Sequence, residues 1–315
     1  MKKLGIVLLL CLCASLMAGC MSGGTDTNRV PEIPERLERN ADGVPMIKLY
    51  DAKTKSVSEI DLETYIMGVV AGEMKNDWPE EALKAQAILA RTYTMKFVSE
   101  KKSQYADADI STDVQEAQAY DADSVNDRVR SAVNDTRGIV MTYDGEFPYA
   151  WFHSHSGGVT ELPTMALDYS EDPAYLESVK STESEKAPEY ANGWTAKFTM
   201  DEVIRACRNC GVELNSIESF KIGKKGQSGR AAEFLVNGKS LSAPTFRLQI
   251  GASKLKSTLI DSITMDESSI TFTGKGIGHG VGLSQWGAYQ LAEDGKKAED
   301  IISHYFKGIE YTKLW

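Results

Sequence analysis

Between residues 61 and 93 the apolar and polar positions follow a helical period. Leu62, Ile66 and Val69 fall three or four apart, one stripe on one face of a helix predicted over residues 62–74. Four residues further on, the stripe reaches Glu73, so a carboxylate stands where the pattern asks for another apolar side chain. Gly72 beside it leaves room for another segment to approach the backbone. Residues 75–78 break the period, and Pro79 suits the first turn of a second helix with Glu80 and Glu81 at its positive end. Leu83, Ala87, Ala90, Thr94 and Phe97 mark its inner face, Ala82 and Ala85 keep it slim, and Arg91 and Tyr93 lie near its expected end. Glu73 admits two readings. One is a helix-end glutamate turned to water, since Glu is seldom fully buried. The other is a proton donor in a partly apolar pocket, where desolvation raises the pKa toward neutrality.

The remaining pattern predicts a mixture of short elements. Residues 46–50 alternate as a strand, 51–55 turn, and 57–60 lead into the helix pair. Residues 126–136 read as a helix and 138–143 as a strand, with Asp144-Gly145 a hairpin turn and 148–153 the return strand. That strand enters the polar loop Ser154-His155-Ser156-Gly157-Gly158-Val159-Thr160, with His153 and His155 on one face. Residues 161–197 are acidic and turn-rich. Thr199 or Asp201 caps a helix to 208, and strands follow at 217–223, 232–236, 239–241 and 259–265, with a helical turn around Phe246. A strand from Ile270 then enters a loop with five glycines around His279, a helix leaves near Ser284, and a last helix covers 301–306. Glycine on both sides leaves the His279 imidazole uncrowded, which reads as functional. A phosphate-cradling loop would need Gly-Lys-Ser/Thr, which is absent here.

Composition narrows the class. The chain has 315 residues, 42% hydrophobic and 25% charged, ordinary for a globular protein, with a formal charge of −10 and no basic stripe to meet nucleic acid. Lys2 and Lys3 precede an apolar run over residues 4–17, short of the ~20 residues a spanning helix needs. Ala18-Gly19-Cys20 then resembles a bacterial lipoprotein signal, although Met17 stands where leucine is usual. Cleavage there leaves Cys20 lipidated and the mature chain on the outer face of the cytoplasmic membrane. The alternatives are an ordinary signal cut near Ala18 or an uncleaved anchor. Residues 21–44 read as a flexible linker. Cys207 and Cys210, the two cysteines left after Cys11, Cys13 and Cys20, either pair, stay reduced or bind metal.

Two stretches carry a specific resemblance. Tyr65-Ile66-Met67-Gly68-Val69-Val70-Ala71-Gly72-Glu73-Met74, continued from Trp78 through Tyr93, is similar to the signature of the stage II sporulation protein D (SpoIID/LytB) family. So is Gly276-Ile277-Gly278-His279-Gly280-Val281-Gly282-Leu283-Ser284-Gln285-Trp286-Gly287-Ala288, followed by His304-Tyr305-Phe306-Lys307-Gly308; the loop at 154–160 matches a third block. The resemblance spans residues 45–312. It implies an α+β fold: a compact body with the helix pair, mixed or antiparallel sheets and a β-rich middle lobe. The organisation expected is a signal at 1–20, a linker at 21–44 and the family region at 45–312, divided as 45–160, 161–269 and 270–312.

The family's sporulation member is a lytic transglycosylase that cleaves peptidoglycan glycan strands stripped of stem peptides and works with a partner amidase. Other members are described as amidase enhancers. By this resemblance the catalytic glutamate falls on Glu73, with no cofactor required. Tyr93, Ser154, Ser156, His279, Ser284 and Gln285 are candidates for holding sugar. Arg91 either touches a substrate carboxylate or pairs with Glu80 or Asp77. Trp286 either stacks on sugar or packs in the core. Some clostridial relatives bind zinc near the serine-glycine loop. The four-ligand set here would be His153, His155, Cys207 and Cys210, of acceptable type but with its pairs far apart in sequence.

Overall fold

The computed structural model describes residues 30–315, so Cys20, the apolar leader and the start of the linker lie outside the described residues. The first alternating stretch forms an antiparallel hairpin, β1 (Met46–Asp51) and β2 (Ser56–Asp61), with Met46 opposite Asp61. Asp51 turns the chain by accepting the Lys53 and Thr54 amides. Asp61 accepts from the amide and hydroxyl of Thr64 and so caps α1 (Leu62–Glu73). Leu62, Ile66 and Val69 are fully buried, as their spacing requires. The second helix, α2 (Glu80–Glu100), carries the inner-face positions through Phe97 as the pattern marked them and ends three residues later. β3 (Ile110–Ser111) adds to β1 in parallel, and α3 (Asp127–Asp135) is capped by the Asn126 side chain.

α2 is the axis of the body. Ala82, Ala85, Ala87 and Ala90 have no exposed surface, and the helix packs on α1, on α3 and on helices from the far end of the chain. Small faces let the backbones close up, leaving little freedom for the side chains they carry. Arg91 is fully buried inside this packing, and its partner is neither Glu80 nor Asp77. Its Nε and Nη2 donate to the two carboxylate oxygens of Glu63 at 3.1 and 2.6 Å, and its Nη1 to the Ile139 carbonyl at 2.9 Å. Glu63 also accepts from the Gly138 amide and the Trp315 indole, each at 2.9 Å. A guanidinium on the inner face of a buried helix requires a buried anion, and across the helix pair that anion is Glu63. Glu80 faces solvent and pairs with Lys84 at 2.7 Å.

The expected hairpin at 138–153 does not form. Asp144 and Gly145 do turn, with φ of 49° and 76°, and Tyr143 and Glu146 exchange backbone hydrogen bonds. The ladder stops there, where Pro148 has no N–H to offer. β4 (Ile139–Thr142) pairs instead with the C-terminal strand β13 (Glu310–Lys313), and β5 (Phe152–His153) runs parallel to β12 (Leu283–Ser284). Two short helical turns follow β5, α4 (Pro163–Ala166) and α5 (Glu189–Asn192).

A second core is built from the middle of the chain. β6 (Trp194–Thr199) buries Trp194, Ala196 and Phe198 in alternation, a strand inside the stretch read as turns. Thr199 and Glu202 close a capping box on α6 (Met200–Asn209). β7 (Phe220–Lys225), β8 (Ala231–Val236) and β9 (Lys239–Ser242) form one antiparallel sheet, then α7 (Ala243–Ile250) crosses it. β10 (Ile260–Met265) and β11 (Ser269–Gly274) join β6 in the order β10-β11-β6. Phe198, Phe220, Phe234, Phe246 and Phe272 pack ring on ring between the sheets, and Cys207 sits among them.

Cys207 and Cys210 are both free thiols. Among the described residues no group of three or more His, Cys, Asp or Glu side chains is placed to hold a metal, so His153, His155, Cys207 and Cys210 do not converge. The histidines belong to β5 and its loop, whereas the cysteines close α6 in the other core. The chain returns to the body through α8 (Gln285–Glu293) and α9 (Ala298–Tyr305), both packed against α2. Trp286 is in the core, 4.4 Å from Trp78 between ring centroids. Among the described residues no helix is long and apolar enough to cross a membrane. The architecture is α+β, helices around α2 with several small, mostly antiparallel sheets.

Candidate active site

Glu73 is the last residue of α1, and the chain turns to extended backbone at Met74. The segment carrying Ala119 and Tyr120 crosses the helix at Gly72. A Cβ there would lie 2.7 Å from the Tyr120 nitrogen, so only glycine admits this approach. The crossing delivers the Ala119 amide, which donates to Glu73 Oε1 at 2.7 Å. On the other oxygen, Gln285 Nε2 lies 3.4 Å away. Burial raises the Glu73 pKa, opposed by the Ala119 amide and the Gln285 side chain. The outcome is a carboxyl that holds its proton more tightly than an exposed glutamate, with one firm hydrogen bond to orient it.

Glu73 opens into a cavity of about 400 Å³ that is also lined by Tyr93, Gln118, Trp151, His153, Ser154, His279 and Gln285. Among the described residues Glu73 is the only acidic side chain on this lining. Two further cavities continue the groove. One of about 110 Å³ shares Tyr93, Ala150 and Trp151 with it and adds Tyr149 and Tyr169. The other, of about 200 Å³, shares Leu167 and His279. Tyr149 stacks on Trp151 at 4.7 Å with Tyr169 edge-on to both, an aromatic surface at one end of the groove. Burial pushes the Tyr93 hydroxyl up to about 12, so it stays a donor at neutral pH.

The glycine loop reaches this cleft because it runs beside the 152–161 segment. Leu283 and Ser284 pair with Phe152 and His153, and His155 and Ile277 exchange backbone hydrogen bonds. His279 is not held openly. Its ring lies 5.6 Å from that of His153, and its Nδ1 accepts from the Val281 amide at 3.0 Å. Burial, then the positive charges of Arg247 and Arg230, pull its pKa down to about 3, so it is neutral. The flanking glycines serve close packing: a Cβ on Gly278 would meet His153 Cβ at 2.8 Å, and one on Gly280 would run into the Arg230 guanidinium. His153 donates from Nδ1 to the Val281 carbonyl at 3.1 Å, leaving Nε2 a buried acceptor without a partner among the described residues.

Ser154 lines the cavity, but Ser156 and Ser284 do not. Both are fully buried on Glu183. Ser156 donates its amide at 3.0 Å and its hydroxyl to one Glu183 oxygen; Ser284 Oγ donates to the other at 2.8 Å. Ser284 also caps α8, accepting from the Gly287 amide, and so fixes where Gln285 begins. Beneath the loop lies Arg230, fully buried, from the turn between β7 and β8. Its Nη2 donates to the Ser156 carbonyl at 2.6 Å and its Nη1 to the Val159 carbonyl at 3.0 Å. Glu161, equally buried, accepts from the Gln227 and Ser228 amides and so ties the same turn to the body. Sequence reasoning missed Glu183, Arg230, Glu161 and Trp151. The first three act through contacts more than 25 residues away, and no local pattern marks them.

A sheltered carboxyl with one firm hydrogen bond thus lines a cavity that shares walls with two others, on an α+β body. A family model described as Stage II sporulation protein matches residues 50–143. Stage II sporulation protein D of Bacillus amyloliquefaciens is 32% identical over 281 residues, covering 85% of this chain and 78% of that protein. The Bacillus subtilis protein of the same name is 32% identical and is covered over 79% of its length. The Bacillus subtilis amidase enhancer is 28% identical over 299 residues, 78% of this chain and 40% of that protein. The chain belongs to the stage II sporulation protein D family.

Proposed function

We propose that the chain is a peptidoglycan lytic transglycosylase in which Glu73 alone is both acid and base. The observation that carries this is the solitary acid on the cavity lining. Hydrolases of the usual kind need two carboxyls flanking the scissile bond, and among the described residues the Glu73 cavity is lined by one. Protonated Glu73 gives its proton to the glycosidic oxygen as the C1–O bond breaks. The resulting carboxylate takes the proton from the C6 hydroxyl of the same muramoyl residue, and O6 closes on C1. The products are a free 4-hydroxyl end and a 1,6-anhydro end, with no water consumed and Glu73 protonated again. The unpaired Nε2 of His153 offers an acceptor for a sugar hydroxyl, and the Tyr93 hydroxyl offers a donor in exchange for its long 3.4 Å bond to the Glu116 carbonyl. The preferred substrate in this reading is glycan freed of stem peptides, and no metal takes part. Export and a lipid on Cys20 would hold the enzyme against the wall.

The test is mass spectrometry of peptide-free glycan incubated with the purified chain. Products one water lighter than hydrolytic ends are expected, and Glu73→Gln should lower their rate by ~10²–10⁴. Full activity in the Gln variant overturns the assignment. A second reading follows from the amidase enhancer relative: the chain binds wall and stimulates a cell-wall amidase without chemistry of its own. That reading expects no anhydro ends and a faster amidase when the two proteins are mixed.

A further inference from the structure

We propose that Arg247 forms a carboxylate-reading subsite in the cavity that adjoins the Glu73 cavity at His279, one that takes the free lactyl carboxylate of a muramoyl residue; this rests on the glycan reading above. The cavity of about 200 Å³ beyond His279 is walled by Ala166, Leu167, Pro244 and Leu248, with Arg247 as its one cationic group. Arg247 lies on α7 and is held from one side only. Its Nε donates to the Leu255 carbonyl at 3.0 Å and its Nη2 to the Ala252 carbonyl at 3.3 Å. Nη1 has no protein partner among the described residues, and no carboxylate among them pairs with the guanidinium. Asp168 lines the same cavity, but its Oδ2 is taken by the hydroxyls of Ser242 and Thr245.

A partly buried guanidinium with a preset orientation, a spare donor and no anion is matched to an anionic ligand. Its charge is felt at His279, which is the wall shared with the Glu73 cavity. An anion bound there would lie in the cavity that adjoins the Glu73 cavity at Leu167 and His279. The rest of the lining mixes the apolar Ala166, Leu167, Pro244 and Leu248 with Thr245, Thr258 and the already engaged Asp168, room for a carboxylate on a short, mostly apolar arm. On a glycan strand that description fits the lactyl ether of muramic acid, provided that its carboxyl is not blocked. N-Acetylglucosamine has no such group.

The test compares two ligands on the full-length Glu73→Gln chain: a peptide-free glycan oligomer with free lactyl carboxylates, and the same oligomer with those groups converted to carboxamides. Calorimetry is expected to show at least about tenfold tighter binding of the carboxylate form, in line with a charge-assisted hydrogen bond. Adding Arg247→Met should bring the carboxylate form down to the affinity of the carboxamide and leave the carboxamide unchanged. Arg247→Lys should keep part of the discrimination. Equal binding of both forms with Arg247 intact overturns the subsite while sparing the glycan reading. So does an equal loss for both forms in Arg247→Met, which would mean that the residue only braces the 251–256 loop. Binding of neither oligomer overturns the glycan reading and the subsite with it.

Discussion

Gln285 and Glu73, 212 positions apart in the chain, face each other across the cleft with the amide nitrogen 3.4 Å from the carboxylate oxygen. That contact is long for a hydrogen bond. It leaves the acid firmly held by the Ala119 amide on one side and loosely on the side where a sugar would enter. Catalytic hydrogen bonds in empty sites often tighten only with substrate.

The sheltered position of Glu73 costs stability. Its folded pKa lies above the ordinary 4.5, so the folded chain holds a proton that the unfolded chain has released as pH rises through that interval. Folding stability therefore falls with increasing pH from about 4.5 up to the raised value. Glu73→Gln has no charge to bury. It is expected to raise the unfolding midpoint at pH 7, with the gain gone below pH 4.5, measured by thermal melts across pH. Equal midpoints at pH 7 would mean that the carboxylate is well solvated.

Gly72→Ala tests how the acid is oriented. The added Cβ meets the Tyr120 backbone at 2.7 Å and must push the 119–120 segment away. Overpacking of this kind costs ~1–3 kcal/mol. The Ala119 amide lowers the Glu73 pKa, so its withdrawal should raise that pKa further and move the alkaline limb of the pH–rate profile upward. An unmoved limb would place the amide outside the mechanism.

Arg91→Met should destabilise the fold by about 3–5 kcal/mol, because it strands Glu63, only 3% exposed, without its guanidinium. Replacing both partners with Glu63→Met and Arg91→Met should cost less than the sum of the single changes, as a double-mutant cycle in denaturant would reveal. Additive costs would show that the pair is not coupled.

Ser284→Ala removes the cap of α8 and one hydrogen bond to Glu183, at about 1 kcal/mol for the cap. Because Gln285 is the next residue, turnover should fall while glycan affinity changes little. A fall in affinity alone would instead make Ser284 a sugar ligand.

What the sequence disclosed was what is local. The stripe Leu62, Ile66, Val69 continuing into Glu73 is a property of one helix and could be read without a partner. The Thr199 cap is equally self-contained, as is the Asp144-Gly145 turn. The error at 138–153 came from the same source. The turn is real, but the strand that completes β4 lies about 170 residues away at β13. Arg91 was legible as a charge needing a partner, yet Glu63 sits on another helix 28 residues back. The glycines around His279 were visible, while their cause was not: they make room for His153 and Arg230, which arrive from other parts of the chain.

Arg230 comes from a unit with its own aromatic core, yet its side chain is wedged under Gly280, against the backbone that carries His279. The β-rich portion is thus a keystone and not an ornament hung on the helices. Excision of the whole unit would drop the floor from under the imidazole and leave the acid facing an unshaped hollow.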